Sequence, residues 1–202
     1  YLSLGGDVRW RFESIDRPQL GVSGAAADQY LLQRVMVHGD LRMADGARLF
    51  AQLGAHRSFG RQLDFPLDLD PLDLQQAFVE VPGRLGGWAA TVRIGRQEVI
   101  LSPWFANPRE AANVRASYDG LRVWLVRGPV RLEAFATRPV AVRPGHLDNP
   151  PDADLAFLGL RAQRVFGAQR SWRAVANLYR NDRDGFRLGP IVGDDRRYSL
   201  GG

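Results

Sequence analysis

The sequence predicts an all-β fold, an antiparallel up-and-down β-barrel of the kind that crosses a membrane with its strands. Apolar and polar residues alternate at period two along most of the chain, and helical 3.6 spacing holds nowhere for long. Connections between the alternating segments are by turns short and long, as in outer-membrane barrels. Charge is sorted by face, with arginines on one parity and small or apolar residues on the other.

The first segment sets Leu4, Gly6, Val8, Trp10 and Phe12 on one face and Gly5, Asp7, Arg9, Arg11 and Glu13 on the other. The second, 30–43, opposes Val35, Val37, Gly39, Leu41 and Met43 to Arg34, Met36, His38, Asp40 and Arg42. In the third, 47–57, Leu49, Ala51, Leu53 and Ala55 stand against Arg48, Phe50, Gln52, Gly54 and His56. Further strands are expected near 74–81, 88–97, 117–126, 129–138, 155–165, 172–180 and from 197 onward, ten in all. The chain opens on Tyr1 and its last strand breaks off. Residues 1–202 are therefore expected to be a single segment of a barrel, truncated at its C-terminal end.

Parity selects the turns. A three-residue loop at Ala44-Asp45-Gly46 pairs Leu41 with Leu49 and Val37 with Leu53, and leaves Gly46 for the left-handed position. The same register puts His38 opposite Gln52 and His56 opposite Arg34. Between the sixth and seventh strands a two-residue turn at Arg127-Gly128 is expected, pairing Val123 with Leu132, Arg122 with Glu133 and Trp124 with Arg131. Short connections then fall near 44–46, 82–87, 127–128 and 166–171, and long ones near 15–29, 58–73, 98–116, 139–154 and 181–196. A soluble sandwich more often mixes its connections between sheets. Trp88 and Trp172 follow short turns with outward parity, where an interfacial aromatic girdle belongs.

The chain has 27 basic residues, every one an arginine, against 22 acidic ones, and no cysteine. Disulfide and thiolate chemistry are therefore absent, and three scattered histidines leave little from which to build a zinc site. Arginine is the residue for planar, bidentate recognition of carboxylate or phosphate. Arg9, Arg11, Arg34, Arg42, Arg48, Arg93, Arg122, Arg131, Arg161 and Arg173 share the polar face, with only Asp7, Glu13, Asp40, Glu80 and Glu133 beside them. Acids crowd instead into long loops: Asp64, Asp68, Asp70 and Asp73; Asp148, Asp152 and Asp154; Asp182, Asp184, Asp194 and Asp195. An arginine on the lipid face at mid-bilayer costs about 2–4 kcal/mol, so this wall is expected to face a lumen. Lumenal arginine rings attract anions and reject cations.

Specific motifs add to this pattern. Arg93-Ile94-Gly95-Arg96-Gln97-Glu98, then Ser102-Pro103-Trp104, then Asn113-Val114-Arg115-Ala116-Ser117-Tyr118-Asp119-Gly120-Leu121-Arg122 resemble the alginate-export family of bacterial outer-membrane β-barrels. Gly6-Asp7-Val8-Arg9-Trp10-Arg11 and Asp73-Leu74-Gln75-Gln76-Ala77-Phe78 look like the same family. The resemblance covers most of 1–135. It implies a monomeric barrel of about eighteen strands with an arginine-rich constriction for an anionic polyuronate. Carried over residue by residue, it lands on Arg93, Arg96 and Glu98, and on Arg115, Asp119 and Arg122. Either a bulge turns Arg96 inward or it lies at the mouth. Arg34, Arg93, Arg122 and Arg131, each well inside an alternating segment, are the expected lumen residues, with Glu133 opposite.

The expected partners are outer-membrane lipid and an acidic polysaccharide or organic anion, with no cofactor and no catalysis. His38 and His56 read as polar lumen residues and not as metal ligands. An outer-membrane hydrolase needs a Ser–His pair with an orienting partner, and Ser58, though near His56 in sequence, falls at a loop mouth. Asp68-Leu69-Asp70 and Asp152-Ala153-Asp154 read as solvated loop charge rather than calcium sites, lacking the glycine and terminal glutamate of an EF-hand loop. A basic pI of about 10.3 with interleaved aromatics raises single-stranded nucleic acid as a competing partner. That reading needs a polar outer face, whereas Ala51, Ala55, Ala134, Ala136, Ala174 and Ala176 suit lipid.

Overall fold

The computed structural model describes residues 1–22, 24, 27–63, 65–100, 107–166, 171–182, 185, 187–193 and 195–201. Nine strands are β1 Leu2–Asp16, β2 Ala27–Arg42, β3 Arg48–Phe59, β4 Asp70–Leu85, β5 Trp88–Gln97, β6 Tyr118–Arg127, β7 Val130–Pro139, β8 Leu155–Val165 and β9 Ser171–Asn181, followed by a last strand Asp195–Gly201. They form one ten-stranded antiparallel sheet in chain order, and a separate small hairpin, Arg187–Leu188 with Ile191–Val192, lies in the connection between β9 and the last strand. The sheet is not closed, so β1 and the last strand lie at its two edges. Ser102-Pro103-Trp104, Asp64, Asp184, Asp194 and the centre of the expected 166–171 turn lie outside the described residues.

The β2–β3 hairpin has the register that parity selects. Val37 pairs with Leu53, His38 with Gln52 and Arg34 with His56, and Gly46 takes φ 88 in the turn. The β6–β7 hairpin differs from expectation by two residues: Arg127 pairs with Val130, Val123 with Ala134 and Trp124 with Glu133. A shift of two leaves every side chain on its face, so parity cannot detect it. Turn chemistry decides, with Gly128 at φ 53 and Pro129 in the two turn positions.

β4 also exceeds its expected 74–81 span. It runs on through Pro82-Gly83 to Leu85, and only Gly86-Gly87 make the turn. Past Glu80, β4 has β5 as its sole neighbour, so a missing proline N–H is tolerated there. At its other end β4 takes in Asp70 and Asp73, which are buried together with Asp68, not solvated as expected. Two register shifts against β3 fall in this stretch. The one beside Gln52 makes Gln75 an extra residue and turns Gln75 and Gln76 to one face.

The apolar parity is open to the surroundings. Leu4 is 79% exposed, Ile94 60% and Leu160 63%, with Val8, Trp10 and Phe12 alongside. Each such side chain forgoes about 1.5–3 kcal/mol of burial in water, and a contiguous apolar surface of this kind marks contact with lipid or another apolar phase. A polar outer face, needed for a nucleic-acid binder, is not what these strands present. The opposite parity buries Tyr30, Leu32, Arg34, Met36, His56, Arg122 and Glu133. A compact apolar cluster of Val99, Ala116, Tyr118, Phe135 and Phe157 joins the β5–β6 connection to β6, β7 and β8.

Candidate functional site

Cross-strand pairing lines up one row of charges on the polar face. Arg42 lies opposite Arg48, Arg48 opposite Glu80, Glu80 opposite Arg93 and Arg93 opposite Arg122. Carboxylates on the strands themselves hold these guanidiniums. Arg48 binds Asp40 through Nε at 2.7 Å and Nη2 at 3.0 Å. Arg93 Nε donates to Glu80 at 2.8 Å. Arg122 donates to Glu133, which also stands 3.7 Å from Arg161.

Aromatic rings sit between the cations. Arg93 lies 4.1 Å from the Phe78 ring centre and 5.1 Å from Trp124, Arg122 4.7 Å from Trp124, and Arg48 5.0 Å from Phe50. Contacts of this type contribute about 0.5–2 kcal/mol each and steady a guanidinium without cancelling its charge. Beyond the row, Arg122, Arg131, Arg161, Glu133, Gln163 and Ile100 line a polar cavity of about 170 Å³. Three guanidiniums meet one carboxylate there.

Nearer the long loops the same face carries a second cluster, built around an acid that no strand supplies. Residues 107–117 lie against β1–β4. Arg9 donates to the carbonyls of Glu110 at 2.8 Å and Ala112 at 2.9 Å, and Arg11 to that of Ala111. The Asn113 amide reaches the carbonyls of Gln33 at 3.1 Å, Arg57 at 3.2 Å and Asp68 at 2.9 Å. The Glu110 carboxylate is met by Arg34, Arg115 and Arg9. Burial raises its pKa, but hydrogen bonding from Arg34 and the charges of Arg115, Arg34 and Arg9 outweigh that and hold it below the ordinary 4.5. Arg34 is 3% exposed and Glu110 59%, so the acid is the accessible member. Arg115 also donates from Nε to Glu98 at 2.7 Å, and the bulged Gln75 reaches Glu98 at 3.3 Å.

The two halves of the sequence motif form one unit. Gly95 pairs with Gly120, Arg96 with Asp119 and Gln97 with Tyr118. The ladder passes through Arg96 without a shift, so no bulge turns it inward. Arg96 and Asp119 keep the outward parity of Ile94 and Leu121, at the loop end of their strands. A guanidinium has five N–H donors, and all five are used here. Arg96 donates to Asp119 at 2.9 and 3.0 Å, to Asp73 at 3.4 Å, and to the carbonyls of Leu74 at 3.1 Å and Asn149 at 2.8 Å. Asp73 in turn accepts the backbone N–H groups of Asp148 and Asn149 at 2.9 and 3.0 Å. This network fastens the β7–β8 connection to β4.

Glycine is required on the row beneath. A Cβ at Gly95, whose φ is 124, would stand 2.3 Å from the Ala77 carbonyl, and one at Gly120 2.2 Å from that of Ala136. Buried Gln97 donates to the Gly120 carbonyl at 3.2 Å.

The expected residues thus divide three ways. Arg93, Arg122, Arg131 and Glu133 belong to the turn-side row and its cavity. Arg34, Arg115 and Glu98 belong to the loop-side cluster, and Arg96 and Asp119 to the fastening network. Sequence reasoning missed Glu110, Asn113 and Asn149, which find Arg34, Gln33 and Arg96 across 76, 80 and 53 residues of chain. Among the described residues no group of three or more His, Asp or Glu is placed to hold a metal ion.

No curated protein and no solved structure matches the chain. The family model for alginate export matches residues 1–198. That family consists of outer-membrane β-barrels that serve as transport channels and is not an enzyme class, in keeping with the up-and-down sheet and its apolar outer parity. On this match over nearly its whole length, the chain belongs to the alginate export family of the bacterial outer membrane.

Proposed function

We propose that the polar face lines the conduit of an outer-membrane channel through which an anionic polysaccharide such as alginate, or a similar organic anion, is exported. The observation that carries this reading is the row of Arg42, Arg48, Glu80, Arg93 and Arg122 across five neighbouring strands. Guanidinium groups at successive positions give a polymer of carboxylates a next partner before it leaves the last one. The strand-borne acids and aromatic rings hold these side chains in place and keep any single site weak. No bond is made or broken in such passage. Arg34, Arg115 and Glu98 extend the path towards the loops, while Arg96 and Asp119 serve the architecture. We read the ten strands as part of a larger, monomeric barrel whose remaining strands pair with the two open edges.

Full-length protein in planar bilayers tests this. Reversal potentials in a salt gradient are expected to show anion preference, and added polyuronate is expected to block the small-ion current. Cation preference, or indifference to polyuronate, would sink the proposal. One observation favours a second reading, that of a plugged structural barrel: residues 107–117 occupy the loop-side cluster. In that case the reconstituted protein shows no conductance at all.

A further inference from the structure

A cavity of about 300 Å³, apart from both arginine clusters, opens on the polar face near the long loops. Its lining combines Tyr118, Phe157 and Tyr179 with Arg109 and Arg197, closed by Leu155 and Pro139. Pairing sets its wall: Tyr118 lies opposite Pro139, Phe157 opposite Tyr179 and Tyr179 opposite Arg197. The rings are fixed from behind by the apolar cluster, Phe157 standing 6.4 Å from Tyr118 and 5.1 Å from Phe135 between ring centres. Two cations flank these rings. Arg197 lies 5.7 Å from the centre of Tyr179 and is partly neutralised by Asp195 at 2.8 Å. Arg109 comes from the β5–β6 connection, where its backbone takes φ 54, and its side chain has no ion pair among the described residues. The Tyr118 hydroxyl likewise makes no hydrogen bond among the described residues, although the residue is 7% exposed.

We infer that this cavity is a subsite for one ring of a cyclic sugar acid, so that the channel reads the sugar ring here as well as the charge. The inference rests on the conduit reading above. Rigid aromatic faces pack against the C–H face of a pyranose, and a guanidinium at the rim binds the carboxylate in bidentate fashion. The unpaired phenol supplies a donor or acceptor for a ring hydroxyl. The turn-side cavity around Glu133 has no aromatic ring in its lining, so it recognises charge alone.

The experiment uses the full-length protein in planar bilayers and two blockers matched in length and charge, an oligogalacturonate and an oligoglutamate. Unaltered protein is expected to be blocked by the sugar acid at about five- to tenfold lower concentration than by the peptide. Tyr179→Leu and Arg109→Gln are each expected to erase that margin, and Tyr179→Leu, which removes no charge, to do so with the reversal potential unchanged. Tyr118→Phe, which keeps the ring and the fold, is expected to narrow it. Equal block by both polymers in unaltered protein overturns the subsite, as does a margin that survives both Tyr179→Leu and Arg109→Gln. Absence of anion preference in unaltered protein overturns the conduit itself and the subsite with it, and so separates the two failures.

Discussion

The two arginine clusters on the polar face answer the same electrostatic problem differently. In the turn-side row the acids Asp40, Glu80 and Glu133 sit on the strands that carry the arginines or on neighbouring ones, so register alone fixes each pair. In the loop-side cluster the acid shared by Arg9, Arg34 and Arg115 is Glu110, on a connecting segment. A pair built from two strands separates only if the sheet does. A pair between a strand and a loop separates when the loop lifts. The first arrangement ties its charges to the wall itself, whereas the second ties them to a connecting segment.

The sharpest way to break this contrast is at Arg122, which is buried against Glu133. Arg122→Glu sets two carboxylates side by side in the row and is expected to cost about 3–5 kcal/mol, as breaking a buried pair does. Heat-modifiability on gels would register the weakened fold. In protein that still assembles, reversal potentials should show a marked fall in anion preference. Unchanged selectivity would move the constriction elsewhere.

Glu110→Gln should have a smaller and more local effect. Because Glu110 is more than half exposed, its pairing is screened, and the change is expected to weaken loop docking by about 1 kcal/mol. Trypsin cleavage after Arg109 should speed up severalfold, with the strands intact. Acid should loosen the loop of unaltered protein too, read as loss of amide hydrogen-exchange protection over 107–117, because trypsin is itself inactive below about pH 4.5. A carboxyl held below 4.5 contributes docking that is fully present above about pH 4.5 and is lost as pH falls through the lowered value. Cleavage that ignores the substitution, together with exchange protection that ignores pH, would mean that Asn113 and the backbone hold the loop without Glu110.

The smallest effect belongs to Arg42, 60% exposed and 3.4 Å from Asp40. Arg42→Ala is expected to change stability by less than about 0.5 kcal/mol. It leaves the Asp40–Arg48 pair whole, so selectivity should barely move. A large shift in reversal potential would show that the row depends on charge number rather than on the held pairs.

Much of the wall was legible in the chain because period-two alternation is a local property. The β2–β3 register followed from parity and Gly46 together. Parity alone left β6–β7 two residues out, where the proline of Gly128-Pro129 held the missing information. Pro82-Gly83 read as a break because the sequence does not reveal that β4 has outrun β3. The loop-side cluster was legible only by half. Arg34 stands out by position and Arg115 by its place in the family motif, but Glu110 finds Arg34 across 76 residues of chain, and no periodicity reports such a contact. Asp68, Asp70 and Asp73 looked solvated for the same reason, since their partners Arg61, Asn149 and Arg96 come together only when the connections fold back.

The chain-order pairing of the sheet also dictates a sequence of events in folding. Every ladder of the ten-stranded sheet joins strands that follow one another along the chain, with only the small hairpin of Arg187–Leu188 and Ile191–Val192 set between the last two, so the wall can zip up hairpin by hairpin, each step closing only a short segment. The contacts from Arg9 to residues 110 and 112 span 101 and 103 residues, and those from Asp73 to residues 148 and 149 span 75 and 76. They have no surface to dock on until the strands between them are in place. The interior is therefore furnished last, after the wall exists.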